Sequence, residues 1–154
     1  MKAILQRVLS ASVTVDKEVV STIGKGVLVF AAVAPGDTQK EANSLAAKWK
    51  KNVQEIGGEV LCVSQFTLLA STKKGNKPDF HGAAGGEEAK RLYEYFFEKV
   101  QQGYATDRVQ NGVFQAMMEV ALVNDGPVTL EISALPKGDS KAEPSPSPVS
   151  APSN

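Results

Sequence analysis

The chain carries 154 residues, 17 basic and 17 acidic, so its formal net charge is zero. That length suits one domain around a single core, and the neutral balance argues against a protein that grips long nucleic acid through its phosphates. It leaves room for an enzyme touching one end of an RNA, and the clusters Lys48, Lys50, Lys51 and Lys73, Lys74, Lys77 suit either a solvated surface or phosphate steering.

No apolar run reaches the roughly 18 residues of a membrane span, and Gln6, Arg7 and Ser10 interrupt what would be a signal-peptide core. The lone Cys62 leaves no intrachain disulfide and suits a reducing cytoplasm.

Residues 2–33 read as a run of strands. Val13 and Val15 alternate around Thr14, a polar turn follows at Asp16-Lys17, and Val19-Val20 resume the pattern. Gly24-Lys25-Gly26 leads into residues 27–33, dense enough in apolar side chains for a strand buried on both faces. Pro35-Gly36-Asp37 breaks it, and Asp37 or Thr38 can cap a helix. Ala42, Leu45, Ala46, Trp49 and Val53 recur at helical spacing, which predicts one helix over about 38–54, stopped by Gly57-Gly58.

A strand over 59–63 then delivers Ser64, and a lysine- and glycine-rich loop runs over about 71–86. Ala89, Leu92, Tyr93, Phe96, Phe97 and Val100 mark the clearest helix, which Gly103 ends. Phe114, Ala116, Met118, Val120 and Leu122 alternate as a strand, and Val128, Leu130 and Ile132 as another. Strands broken by two main helices predict an α+β fold. The domain is expected to span residues 1–135, with residues 136–154 a disordered tail rich in Pro and Ser.

The residues that carry hydrolytic chemistry elsewhere are scarce here. A serine nucleophile needs a base oriented by a third group. The single histidine is His81, and Ser64 lacks the Gly-x-Ser-x-Gly surround of a nucleophile elbow. One Cys and one His build no zinc site, and no glycine motif follows a strand to hold a nucleotide cofactor. The chain therefore reads as free of cofactor and metal, and as an enzyme it would work by positioning and backbone hydrogen bonds.

Two motifs stand out. Ser64-Gln65-Phe66-Thr67 reads either as a strand end, with hydroxyls bonded locally and Phe66 in the core, or as a polar strand end whose hydroxyls and free N–H groups face a pocket. Asn124-Asp125-Gly126-Pro127-Val128-Thr129 has the chemistry of a turn between two strands. Pro127 is nevertheless an odd start to a strand, and X-Pro is the bond at which cis costs little. A cis bond there would aim two neighbouring carbonyls nearly one way, while Gly126 keeps the approach open.

Together with Gln6-Arg7-Val8, Ala11-Ser12-Val13-Thr14-Val15, Gly24-Lys25-Gly26, and Lys74-Gly75 with Pro78 and Phe80, these motifs resemble the D-aminoacyl-tRNA deacylases, in that family's order. The resemblance covers residues 1 to about 133. It implies a compact, barrel-like α+β homodimer in the cytoplasm, with active sites at the interface and the tRNA acceptor end as partner. It further implies hydrolysis of the ester of D-aminoacyl-tRNA, and of glycyl-tRNA. Ser64, Gln65, Phe66 and Thr67 then line the pocket of the ester and terminal adenosine, Thr67 matching a formerly proposed nucleophile. Gly126 and Pro127, within Asn124 to Thr129, reject L-aminoacyl groups from the partner subunit's side, and Arg7 orients them.

The sequence also departs from the pattern. Family members carry a further strand and loop between the first helix and the strand at 58–63, whereas here Trp49-Lys50-Lys51 joins the helix directly. An uncovered apolar face and weaker folding are expected, and Gln115 stands where relatives usually carry Gly or Ala. The rival readings are a nucleic-acid-binding dimer inactivated by that loss, a Ser64/His81 hydrolase of small esters, and a related deacylase with a trans Gly-Pro bond.

Overall fold

One long strand organises the molecule. Strand β1 (Lys2–Val15) carries β6 (Glu119–Ser133) along one edge, from Lys2↔Ser133 to Thr14↔Glu119. Its other edge is shared by β3 (Gly26–Ala32), paired with Lys2 to Val8, and β2 (Glu18–Ile23), paired with Ala11 to Val15. All three pairings are antiparallel. Beyond β3 the sheet continues in parallel through β4 (Glu59–Ser64) to β5 (Val109–Asn111). The Ser21 hydroxyl on β2 donates to the Asn111 carbonyl on β5, so the sheet nearly closes on itself as a barrel. The computed structural model describes residues 1–136, so all but the first residue of the tail expected over 136–154 lies outside the described residues.

Parallel neighbours need crossovers, and the helices supply them. Between β3 and β4 run α1 (Gln39–Ala47) and α2 (Lys50–Glu55); between β4 and β5 runs α3 (Gly86–Gly103). The single helix expected over 38–54 is thus two. Trp49, at φ −128° and ψ 0°, leaves helical geometry and turns its ring into the core, where it is 4% exposed.

The dense apolar run of β3 is buried on both faces as expected. Val29 and Ala31 join Val60 and Cys62 under α1 and α3, in a core with Leu45, Leu92, Tyr93 and Phe96. Leu28 joins Leu61, Val63, Val8 and Val13 inside the barrel. Truncating Leu61 to Ala costs about 2–5 kcal/mol on this reading, because nothing beside a fully buried leucine fills the void. Gly26 is required where β3 meets β4: a Cβ there would stand 1.9 Å from the Glu59 carbonyl oxygen. Under α1, the Met1 ammonium is buried 2.7 Å from Asp37 Oδ2 and donates to the Ala134 carbonyl.

Two expectations near the C-terminal end are corrected. The strand expected from Phe114 begins only at Glu119, and residues 112–118 form an irregular lip. Their apolar alternation reflects contacts rather than pairing: Phe114 packs on the Tyr93 ring with centroids 5.7 Å apart. Nor is the Asn124–Thr129 segment a turn between two strands. Both of its flanks pair with β1, Val8↔Asn124 and Gln6↔Thr129, so β6 bulges outward opposite Arg7.

Candidate functional site

Strands β3 and β4 are parallel, so their C-terminal ends open on the same side, where clefts form in such sheets. Here the ends carry Ala31, Ala32, Val33 and Ser64, and they floor a cleft of about 890 Å³. One wall is a 3-10 turn, Phe66–Leu69. Another is the first turn of α3 at Gly86 and Ala89, and the lip at 114–118 closes the third side.

The chain enters the 3-10 turn tied to β3, the Gln65 N–H donating to the Ala31 carbonyl at 2.8 Å. The Gln65 side-chain amide reaches forward to the Thr67 hydroxyl. A helical turn leaves its first N–H groups without intrahelical acceptors. Among the described residues, the N–H groups of Phe66 and Thr67 meet no acceptor. Two adjacent backbone donors therefore stand beside an exposed threonine hydroxyl at the cleft. Phe66 is not in the core: it is 56% exposed and meets Phe80 edge to face, with centroids 5.2 Å apart.

Other reactive groups are disposed against a side-chain mechanism. The His81 ring is 96% exposed and is held by Asp79, two residues away, rather than by Ser64. Burial pushes the Cys62 thiol up to about 12, which keeps it protonated and inert. Tyr93 lines the cleft, but burial raises its hydroxyl well above the ordinary range, and it donates to Asn111 Oδ1 at 2.7 Å. No group of three or more His, Cys, Asp or Glu among the described residues gathers as a metal site.

Tyr93 and Phe114 were legible in the sequence only as apolar periodicity, which core residues share. Gln115 carried a signal, and it lies in the lip with φ +62°. Its Nε2 stands 2.7 Å from where a Cβ on Gly86 would be, so it spans the mouth between lip and α3.

The second motif sits elsewhere. At the bulge, Gly126–Pro127 is cis and Gly126 adopts φ +117°. Arg7 Nε donates to the Asp125 carbonyl at 3.2 Å and lies 3.3 Å from Asp125 Oδ2. Asn124, Pro127 and Thr129 are exposed, and Val128 is half-buried. Arg7 and Val128 line a separate groove of about 280 Å³ with Leu5, Val27, Trp49 and Leu130. This groove borders the α1–α2 junction, and Trp49 Nε1 is buried there without a hydrogen-bond partner among the described residues. The fold thus gathers Ser64 to Thr67 in one cavity, while Arg7 and Val128 line another beside the Asn124–Thr129 bulge, and within one chain it does not join them.

A family model described as D-Tyr-tRNA(Tyr) deacylase matches residues 4–133. A curated relative from Yarrowia lipolytica, "D-aminoacyl-tRNA deacylase", is 48% identical over 147 positions, covering 85% of this chain and 96% of the relative. Because 85% of 154 residues is fewer than 147 positions, the relative carries residues that this chain lacks. "D-aminoacyl-tRNA deacylase 1" from Bos taurus is 42% identical, covering 94% of this chain and 75% of the relative. A solved structure of "c-Myc DNA Unwinding Element Binding Protein" superposes with a TM-score of 0.82 at 39% identity, covering 88% of this chain and all of that one.

Proposed function

The chain belongs to the D-Tyr-tRNA(Tyr) deacylase family, hydrolases acting on D-aminoacyl-tRNA, and on that premise we propose how its own residues do the chemistry. The substrate is the ester joining a D-amino acid, or glycine, to the 3′ end of tRNA, met in the cytoplasm. Water attacks the ester carbonyl, the acyl–oxygen bond breaks, and the terminal ribose hydroxyl leaves with the proton that water gives up. The observation that carries this reading is the pair of unpaired N–H groups at Phe66 and Thr67 beside the cleft. Such donors stabilise the oxyanion that forms from the carbonyl, an effect commonly worth about 2.7–4 kcal/mol per donor. An aminoacyl ester is already activated, so a positioned water and an oxyanion site suffice, and Ser64, Gln65 and Thr67 orient the reactants.

Discrimination is the harder task. Sparing L-aminoacyl-tRNA by about 10⁴-fold requires about 5.5 kcal/mol of differential binding. One neutral hydrogen bond supplies only about 0.5–1.5 kcal/mol, whereas a rigid wall excludes a substituent outright. Gly126 and Pro127, flanked by Asn124, Val128 and Thr129 and held by Arg7, form that wall in the cleft of a second copy. The resemblance supports this arrangement, and so does the separation of the two motifs within one chain. The domain is assigned to residues 1–135, with the remainder dispensable for turnover.

The deciding experiment compares release of tyrosine from D-Tyr-tRNA and L-Tyr-tRNA by the purified chain and by its Gly126→Ala variant. Alanine strains a φ of +117° and puts a Cβ 3.0 Å from Arg7 Nη2. Misplacing the wall by an ångström is expected to cost about 100-fold on the D substrate. A second reading, nucleic-acid binding without turnover, is favoured by the name of the solved relative at 39% identity and by the residues this chain lacks. Tight tRNA binding with no release from either ester would establish it.

A further inference from the structure

Beside the cleft, residues 71–81 fold back as a small hairpin, closed by two backbone hydrogen bonds of 2.8 Å between Ser71 and Asp79. The hairpin presents Lys73, Lys74 and Lys77, all exposed. Its one acidic residue, Asp79, offsets only one of the three. The His81 N–H donates to Asp79 Oδ1 at 2.8 Å and the His81 ring meets the same oxygen, which holds this carboxyl below its ordinary range. In a chain of zero net charge, this loop is therefore a local basic surplus.

At the foot of the hairpin, Phe80 and Phe66 meet edge to face while remaining 39% and 56% exposed. Phe66 also lines the cleft, so the aromatic pair is continuous with the proposed reaction site. The wall built from α3 offers no such surplus, since Glu87 and Glu88 in its first turn are followed by Lys90 and Arg91. The mouth of the cleft is thus basic and aromatic on the hairpin side and balanced in charge on the other. A ligand that fits this polarity brings regularly spaced negative charge together with flat apolar faces. Single-stranded nucleic acid does so, its phosphates suited to lysines and its bases to aromatic rings.

We infer that the 71–81 hairpin and the Phe66–Phe80 pair form the track along which the single-stranded 3′ end of the RNA enters the cleft. Phosphates pass over Lys73, Lys74 and Lys77, and a base stacks on the exposed aromatic pair. This inference rests on the reading of the substrate as an RNA ester, and it adds the route and the residues that hold the strand.

The test uses the full chain, a Lys73→Gln, Lys74→Gln, Lys77→Gln variant and a Phe80→Ala variant, with circular dichroism to establish folding. Two substrates separate the track from the chemistry: D-Tyr-tRNA, and D-tyrosyl-adenosine, which carries no phosphate. The triple variant should raise KM for D-Tyr-tRNA by about tenfold with kcat unchanged. It should also lower the slope of log KM against log salt by about 2, at roughly 0.7 per single-strand phosphate contact. Turnover of D-tyrosyl-adenosine should stay within about twofold, because the lost contacts are to phosphate. Phe80→Ala should weaken binding of a labelled single strand ending in CCA by about tenfold, with Phe80→Trp restoring it, as expected for stacking.

An unchanged KM and salt slope in the triple variant would overturn the track, as would an equal loss on D-tyrosyl-adenosine. So would displacement of the labelled strand by a polyglutamate peptide at the same charge concentration. Failure of the unmodified chain on both esters would instead sink the substrate reading. Anisotropy of the labelled strand decides on the track in that case too, through its weakening or its persistence in the triple variant.

Discussion

Arg7 grips the carbonyl and the carboxylate of one residue, Asp125, at 3.2 and 3.3 Å through the same Nε. The contact fastens the crest of the β6 bulge to the strand it has left. Arg7→Lys keeps the charge but loses the planar fork. We expect kcat/KM on D-Tyr-tRNA to fall about tenfold, equivalent to about 1.4 kcal/mol. The thermal midpoint should barely move, because partly exposed pairs contribute only about 0–1 kcal/mol. Steady-state kinetics paired with a calorimetric scan separates the two effects, and a midpoint drop with unchanged kinetics would make Arg7 structural.

His81→Ala distinguishes a backbone-driven site from a side-chain one. A general base contributes roughly 10²–10⁴-fold, whereas His81 is held by Asp79 on an exposed loop. Deacylation of D-Tyr-tRNA should remain within about threefold of the parent, well short of that range. A collapse of more than a hundredfold would restore the Ser64/His81 hydrolase.

Acid stability should report the cap of α1. The Thr38 hydroxyl and the Thr38 N–H both donate to Glu41 Oε2, at 2.6 and 2.8 Å, and hold that carboxyl below its ordinary 4.5. A carboxyl lowered by folding stabilises the native state above its ordinary value, and that contribution is lost as pH falls through the lowered one. The stability difference between the parent and Glu41→Gln should therefore be constant from neutrality to about pH 5 and shrink below pH 4.5. Urea titrations across this window measure it, and a difference that grows in acid would contradict the cap.

Gln115→Gly should be tolerated and should open the cleft. A non-glycine residue at φ +62° bears a left-handed penalty of about 1–2 kcal/mol, and glycine's greater flexibility offsets about 0.5–1 kcal/mol of the relief. The variant should be at least as stable by urea denaturation. With the side chain gone from the mouth beside Gly86, kcat/KM for D-Trp-tRNA should rise against that for D-Ala-tRNA by about fivefold, within the range of one or two methylene contacts. An unchanged ratio would place Gln115 outside the path of the substrate.

Much of the architecture was legible because its periods are clean. The apolar run of β3, the alternation of β1 and the 3.6-residue repeat of α3 each have one structural solution. The break at Trp49 was not legible, because the apolar spacing from Ala42 to Val53 runs straight through it and only the backbone at Trp49 departs. Phe114 and Met118 imitated a strand, since alternating contacts with Tyr93 and Gly112 need no ladder. Asn-Asp-Gly-Pro has the same local chemistry in a turn and in a bulge. What decides between them is β1 pairing on both sides, which lies more than a hundred residues away in the chain. The segment Ser64 to Thr67 was readable as a candidate, but its unpaired amides were not, because they depend on a 3-10 turn forming where a strand end was expected.

The separation of the cleft from the bulge within one chain gives the proposed two-copy site a rate law of its own. On that proposal a solitary chain holds two half-sites, neither of which turns over. Below the concentration at which copies pair, activity per milligram is then expected to fall in proportion to dilution and the total rate with its square. Two variants silent alone, one altered in the cleft and one at the bulge, are expected to recover turnover when mixed, because one mixed pairing brings an intact half from each.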